Sequence, residues 1–444
     1  MIEAEHLPTS DSAVTKPTSG NRWPRGAYTN QPLCRAACSV ICRRRCCEFG
    51  GDVVTISKQQ LFDRLGLILW FGSFLIIMVM VWVSPNTRSV VGVYRNGSEA
   101  FVNLQPLYHV EMAMGYLYAP AFAALYVPLL KLGPYVGDTL WRLLCFGVLT
   151  LAAVRQVRKI GGTNQVWLLS FGLFLALPIA LGAIRNGQST VLMTGACWLL
   201  TFSALEGRRA ETFLWATLAI LAKPTAIIML LLAGALRPRC IPVLVLSVLF
   251  VLVVPYVFAP AAYVSDQYRD FFHMLTSMAV DPTGPFVATD FTAPFATLGF
   301  PIPEFDATIV RTVAGLLVLG AVLWFDRKLE PNLGSLAIFL TAAFYMCVFN
   351  PRVEPNTYVT IAVPAGLSIA LLWSEKGEGV LRWVLAILIF ITGLTGIDRH
   401  VHEFFHPWHR SISATIFSCV LIGWFLAKTR AGEKLPNTGS VPHG

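Results

Sequence analysis

The sequence predicts an all-α, polytopic transmembrane helical bundle, and three observations carry that expectation. Of its 444 residues, 55% are apolar and only 13% are charged, against about 25% charged in soluble domains. The mean hydropathy is +0.62. The missing charge is concentrated, because 65–84 and 166–184 contain no charged residue at all, and each is long enough as a helix to cross about 30 Å of hydrocarbon. This pattern excludes a soluble enzyme, a disordered chain and a disulfide scaffold. The ten Cys agree: five lie within 34–47 and the rest lie in or beside apolar runs, which is no disulfide framework.

Residues 1–64 hold nine Lys/Arg against six Asp/Glu and lack the short apolar core and small-residue cleavage site of a signal peptide. They read as a disordered, basic cytoplasmic tail. Within it Cys34, Cys38, Cys42 and Cys46 recur every four residues, a spacing that would align them on one helix face. A basic juxtamembrane segment in a reducing compartment is preferred over a metal site there.

Spans are expected near 65–84, 138–154, 166–184, 189–205, 212–222, 225–236, 241–258, 309–325, 334–349, 355–373, 380–397 and 411–427. Twelve crossings between 65 and 427 put both termini on one side, with 428–444 as a cytoplasmic C-terminal tail. The positive-inside rule then assigns to the cytoplasm Arg155, Arg158 and Lys159, Arg208 and Arg209, Arg237 and Arg239, Arg327 and Lys328, Lys376, and Lys428, Arg430 and Lys434. Orientation accounts for the net charge of +9, so no nucleic acid is expected as a partner. Two stretches depart from simple spans. Pro120 and Pro128 interrupt 116–132, which reads as interfacial, and the pair 212–222 and 225–236 is shorter than the roughly 17–25 residues of an ordinary span. Lys223-Pro224 separates that pair, as a broken pair or one kinked helix. Two large extracytoplasmic loops remain, 53 residues from Pro85 to Gly137 and a second from Ala259 to Ala307.

Lys223 interrupts an apolar run, and an ionisable residue at membrane depth is a functional candidate by default. Arg185, Asn186 and Gln188 stand immediately before the helix that begins near Ser189, where backbone N–H groups and a cation suit a phosphate. Arg352 is a third cation on the same side. In the first loop Tyr94, Arg95, Tyr108 and Tyr118 belong to aromatic, amphipathic pieces suited to the headgroup level and to shaping a lipid groove. Asp266, Arg269, Asp270 and His273 in the second loop have helical spacing, which predicts an ordinary ion pair. His402 and His406 lie four apart, with no HExxH or CxxC arrangement beside them, and neither GxxxxGK[ST] nor GxGxxG occurs. Neither a metal nor a cofactor is expected.

Tyr94, Pro106-Leu107-Tyr108 and Tyr116-Leu117-Tyr118-Ala119-Pro120 resemble the first periplasmic loop of glycosyltransferase family 87, the bacterial GT-C type of mannosyltransferase that uses polyprenyl-phosphate sugars. Asn186-Gly187-Gln188 and Ala222-Lys223-Pro224-Thr225 are similar to its Gly-Gln and Lys-Pro signatures. Asn350-Pro351-Arg352, with Tyr358 and Pro364, is similar to a later loop motif. The resemblance extends over roughly 65–400 and implies transfer of a hexose, mannose in the family's usual case, from a polyprenyl-phosphate donor to a lipid or glycan acceptor at the outer face of a bacterial inner membrane. The partners are then the donor, the acceptor and membrane lipids. Family members commonly carry an Asp just before the Tyr94 motif as the base, and Val90 stands there in this chain. A carboxylate within hydrogen-bond reach of the acceptor hydroxyl is still required, so Glu99, and after it Glu111, are the expected catalytic residues. The alternatives are a secondary transporter, for which short broken helices speak, and a lipid-binding relative that has lost catalysis.

Overall fold

The computed structural model describes residues 58–85, 87–108, 115–162, 164–277, 289–351, 353–375, 379–394, 406 and 408–431. Residues 1–57 with the Cys series, Glu111, Arg352, Lys376, His402 and Lys434 lie outside them, whereas 58–64, expected in the tail, open the first helix. The described chain is helical throughout: α1 (Lys58–Val83), α2 (Val91–Val102), α3 (Pro120–Lys131), α4 (Gly133–Ile160), α5 (Gln165–Asn186), α6 (Ser189–Leu205), α7 (Arg209–Ala222), α8 (Ile227–Leu236), α9 (Ile241–Val253), α10 (Pro255–Phe258), α11 (Ala261–Ser277), α12 (Ala293–Thr297), α13 (Glu304–Lys328), α14 (Pro331–Val348), α15 (Val359–Ser374), α16 (Gly379–Gly393) and α17 (Trp408–Ala431). Among the described residues, eight helical stretches are long and apolar enough to cross a membrane. Eight of the twelve expected spans fall on these stretches; 189–205, 212–222, 225–236 and 380–397 fall on shorter helices, and the last of them runs past the described residues.

The burial pattern is that of a bundle bathed in hydrocarbon. In α6 every residue from Ser189 to Ala204 is buried, and 89% of the apolar window from Pro355 through α15 is enclosed. The rim helices differ: only 28% of the α1 window and 17% of the α13 window are enclosed, leaving Leu75, Ile76, Val83, Leu316 and Leu317 exposed. Apolar side chains on such a face are what lipid requires. At the centre, helices touch backbone to backbone through small residues, Gly172 of α5 against Gly366 of α15 and Gly195 of α6 against Val148 and Leu149 of α4. Small residues drive this kind of packing where no hydrophobic effect separates helix from lipid.

Charge marks the two ends. Arg155 and Lys159 near the end of α4 pair with Glu206, Arg155 also meets Glu211, and Arg208 bridges Glu206 and Glu211. At the same end Cys240 contacts the Ala204 carbonyl, Arg237 forms a two-pronged pair with Asp326, and Trp324 donates to Thr429, one residue from the Lys428–Glu375 pair. The expected cytoplasmic cations that these contacts describe therefore gather at one basic end. The opposite, loop end carries α2, α3, α11 and α12.

The two stretches that were not simple spans resolve as follows. α3 is a helix of 12 residues, about 18 Å long and too short to cross; Gly133, at φ +77°, turns the chain directly into α4. Around Lys223 the chain breaks and returns. α7 rises from the basic end, a single 3₁₀ turn over Pro224–Ala226 reverses direction, and α8 leads back to Arg237. The pair is a broken one, with Lys223 at its apex. At 14 and 10 residues, α7 and α8 span about 21 and 15 Å, less than the hydrocarbon thickness.

Candidate functional site

The site is built where α5 stops. Gly187 closes α5 in the left-handed conformation, at φ +70°, and its carbonyl accepts the Trp141 indole N–H at 2.8 Å. A side chain there is excluded twice over, since a Cβ would lie 2.4 Å from Val91 and only glycine adopts that backbone readily. Gln188 follows as the residue before α6. The first loop docks on this corner: the Val90 N–H donates to the Asn186 carbonyl at 2.9 Å, and the Tyr94 hydroxyl accepts the Ser189 N–H at 3.0 Å. That N–H is one of the first-turn donors a helix leaves without an internal partner.

Tyr94 is fully buried, its hydroxyl 3.1 Å from that of Tyr118, while Tyr108 donates to the Tyr118 carbonyl at 2.7 Å. Tyr118, Phe122, Tyr126 and Trp141 surround the Tyr94 ring edge to face at 5.0–5.8 Å. The sequence placed these tyrosines at the headgroup level; the structure packs them into a clamp that holds α2 and α3 on α6. Burial pushes the Tyr94 phenol well above the usual range and that of Tyr118 up to about 12, so both remain protonated hydrogen-bonding groups at neutral pH. Tyr94→Phe is expected to leave the Ser189 N–H unpaired and to cost about 1–3 kcal/mol, read as a lowered melting temperature of the purified protein.

At the start of α6, four polar side chains converge. The Lys223 ammonium donates to the Thr190 hydroxyl at 3.5 Å and stands 4.0 Å from a Glu354 carboxylate oxygen, while the Gln188 amide donates to the other Glu354 oxygen at 3.4 Å. Each comes from a different element: the linker before α6, α6 itself, the apex between α7 and α8, and the turn that opens α15. Lys223 and Glu354 are 16% and 28% exposed, so the cluster is recessed yet reachable. Glu354 also caps the short 3₁₀ helix Pro355–Tyr358 with its carboxylate, and Thr357 returns the contact to the Glu354 N–H.

The structure brings Gln188 and Lys223 together and sends other expected residues elsewhere. Arg95 points to Asp138 of α4 at 3.8 Å, and Asp138 lies 4.0 Å from Arg142. Arg142 in turn bonds the Arg185 carbonyl and the Ser89 hydroxyl. Asn186 contributes its carbonyl to the first loop. The Arg185 side chain lines a separate cavity of about 290 Å³ against the end of α1, walled by Val79, Val83 and Thr87. Glu99 lies on the exposed side of α2, opposite the buried face of Val91, Tyr94, Ser98 and Phe101. In α11, Arg269 pairs with Asp266 at 3.2 Å on an exposed face, the surface ion pair that the spacing predicted.

Sequence reasoning missed Glu354, Thr190 and Asp138. Glu354 had a signal, being the only acid at the start of the otherwise uncharged run 355–373. Thr190 had none, since a threonine in an apolar helix is ordinary. Chemically, an ammonium flanked by a hydroxyl and an amide, at the mouth of a helix N-terminus, is a binding point for an oxyanion. The neighbouring carboxylate tempers its charge.

No curated protein matches the chain. The sequence profile of glycosyltransferase family 87 matches residues 116–351, just over half of the chain. The matched stretch contains Tyr118, Gln188, Thr190 and Lys223 and stops three residues before Glu354. With the motif residues Gln188 and Lys223 meeting at one recessed site inside an all-helical, lipid-facing bundle, this chain belongs to glycosyltransferase family 87.

Proposed function

We propose that the chain transfers a hexose, with mannose the first sugar to test, from a polyprenyl-phosphate donor to a lipid or glycan acceptor on the extracytoplasmic face of a bacterial inner membrane. The observation that carries this reading is the position of Lys223, at the apex of two helices too short to cross, beside Gln188 and Thr190. A cation held part-way into the hydrocarbon meets the phosphate of an isoprenoid lipid whose tail stays in the bilayer. The gathering of Arg155, Lys159, Arg208 and Arg237 at the far end supports a cytoplasmic assignment of that end and of both termini.

In this reading the acceptor oxygen attacks the anomeric carbon as its bond to the phosphate oxygen breaks. The electron pair leaves on the phosphate, facing Lys223, with Gln188 and Thr190 as neutral donors. A single displacement inverts the anomeric centre. The acceptor proton passes to a carboxylate of the first loop, Glu99 on the exposed side of α2 or Glu111 further along. Arg95, Tyr94, Tyr108 and Tyr118 act by holding that loop, and Arg185 is available to the lipid substrates; Arg352, outside the described residues, is proposed as a further cation for them from its place in the sequence.

The test is a transfer assay with the purified chain in nanodiscs, supplied with labelled polyprenyl-phosphate hexoses and membrane lipid extract. Labelled product is expected, together with loss of an envelope glycan on gene deletion. No transfer from any such donor, joined to altered solute uptake in the deletion strain, would replace this reading with a transporter.

A further inference from the structure

We propose that Glu354 sets which ionic form of a phosphate the site retains, favouring a singly charged phosphodiester over a doubly charged phosphomonoester and so helping to expel the spent carrier lipid. This rests on the reading of Lys223 as the phosphate-facing cation. Glu354 is the described carboxylate in contact with that cation, its two oxygens 4.0 Å from the Lys223 ammonium and 3.4 Å from the Gln188 amide. The resting cluster is thus one positive and one negative charge, sharing the donors that an incoming phosphate would use.

The reaction changes the charge of the ligand. A polyprenyl-phosphate sugar is a phosphodiester with one negative charge. When the sugar–phosphate bond breaks and its electron pair stays on phosphate, the product is a monoester whose second ionisation lies near pH 6, so it carries close to two charges at neutral pH. A phosphate oxygen that reaches Lys223 from the Gln188 and Thr190 side, where Glu354 also sits, comes within a few ångströms of the Glu354 carboxylate. Coulomb repulsion scales with the product of the charges, and at about 4 Å even fully water-screened coupling corresponds to roughly fivefold in affinity per charge. The diester meets that penalty once and the monoester twice. In free-energy terms the effects double, and in affinity terms they square.

The experiment measures binding of decaprenyl phosphate and of its methyl diester to the full-length protein in nanodiscs at pH 8, for the wild type, Glu354→Gln, Glu354→Asp and Lys223→Gln. Gln keeps an oxygen to cap the 3₁₀ helix at Pro355, and Asp keeps the charge, which separates charge from folding. Glu354→Gln is expected to tighten the diester about fivefold and the monoester by about the square of that, roughly 25-fold, with Glu354→Asp close to wild type. At pH 5, where the monoester carries one charge, the two gains should become equal. Equal gains for both lipids at pH 8, or none, would overturn the proposal. Lys223→Gln separates this from the underlying reading: if it leaves the binding of both lipids unchanged, the phosphate site itself is wrong, whereas weakened binding in Lys223→Gln alongside equal gains in Glu354→Gln removes only the discrimination.

Discussion

Lys223→Gln is expected to lower kcat/KM for sugar transfer at least about 100-fold while leaving the bundle folded. The size follows from what the leaving group needs. With the proposed donor, charge builds on a phosphate oxygen as the sugar–phosphate bond breaks, in a recessed place with little water to solvate it. Lys223 is the cation that the structure sets at the head of α6, within 3.5 Å of Thr190. An amide in its place keeps a donor and most of the volume but supplies no charge. The fold should survive because Lys223 sits at a helix break, after α7 has ended and before the turn at Pro224; Pro224, not the ammonium, forces the reversal. Initial rates with a labelled donor, beside melting curves of the same preparations, provide the check. A variant within threefold of wild type would remove Lys223 from the chemistry.

The second large effect is on the fold. Gly366→Leu is expected to prevent a monodisperse, folded protein from being recovered, at a cost on the order of 3 kcal/mol or more. A Cβ at 366 would lie 2.2 Å from the Gly172 carbonyl oxygen and 3.4 Å from the Ala176 nitrogen. Those are backbone atoms of α5 and cannot swing aside as a side chain would, so α15 has to move away as a whole. α15 opens with the turn that bears Glu354, and α5 ends at Asn186, two residues before Gln188, so even a partly folded variant would have its site pulled apart. Gly72, on the rim helix α1 with nothing within 4 Å of a built Cβ, is the control, and Gly72→Ala should behave as wild type. Size-exclusion profiles in detergent and thermal unfolding distinguish the two.

Much of this was legible in the order of residues. Runs without charge announced the helices, because in hydrocarbon a helix is the way for a single segment to satisfy its own backbone. Lys223-Pro224 inside an apolar stretch announced a break, because a cation at depth is costly and Pro has no N–H to give. Gln188, just before a helix start, and Lys223, inside an apolar run, stand out as candidates in the sequence itself. The rest was not legible for reasons that differ from residue to residue. Glu99 shares a helix with Tyr94, but sequence spacing does not say which face of α2 meets the bundle; the packing of Tyr94 against Trp141 and Phe122 decided it and left Glu99 exposed. Arg185 is three residues from Gln188, yet the left-handed turn at Gly187 separates them, so that Arg185 faces the end of α1 while Gln188 meets Glu354.

Local chemistry along the chain determined that this protein is a helical membrane bundle, where its helices lie, and that Lys223-Pro224 breaks one of the apolar runs. Tertiary structure alone decided which carboxylate stands against that lysine. The physical reason is distance: Gln188, Lys223 and Glu354 are brought together from positions up to 166 residues apart, by contacts between helices that glycine backbones allow to approach closely. Periodicity and hydropathy act over a few turns, and a meeting of that kind is set only when whole helices pack.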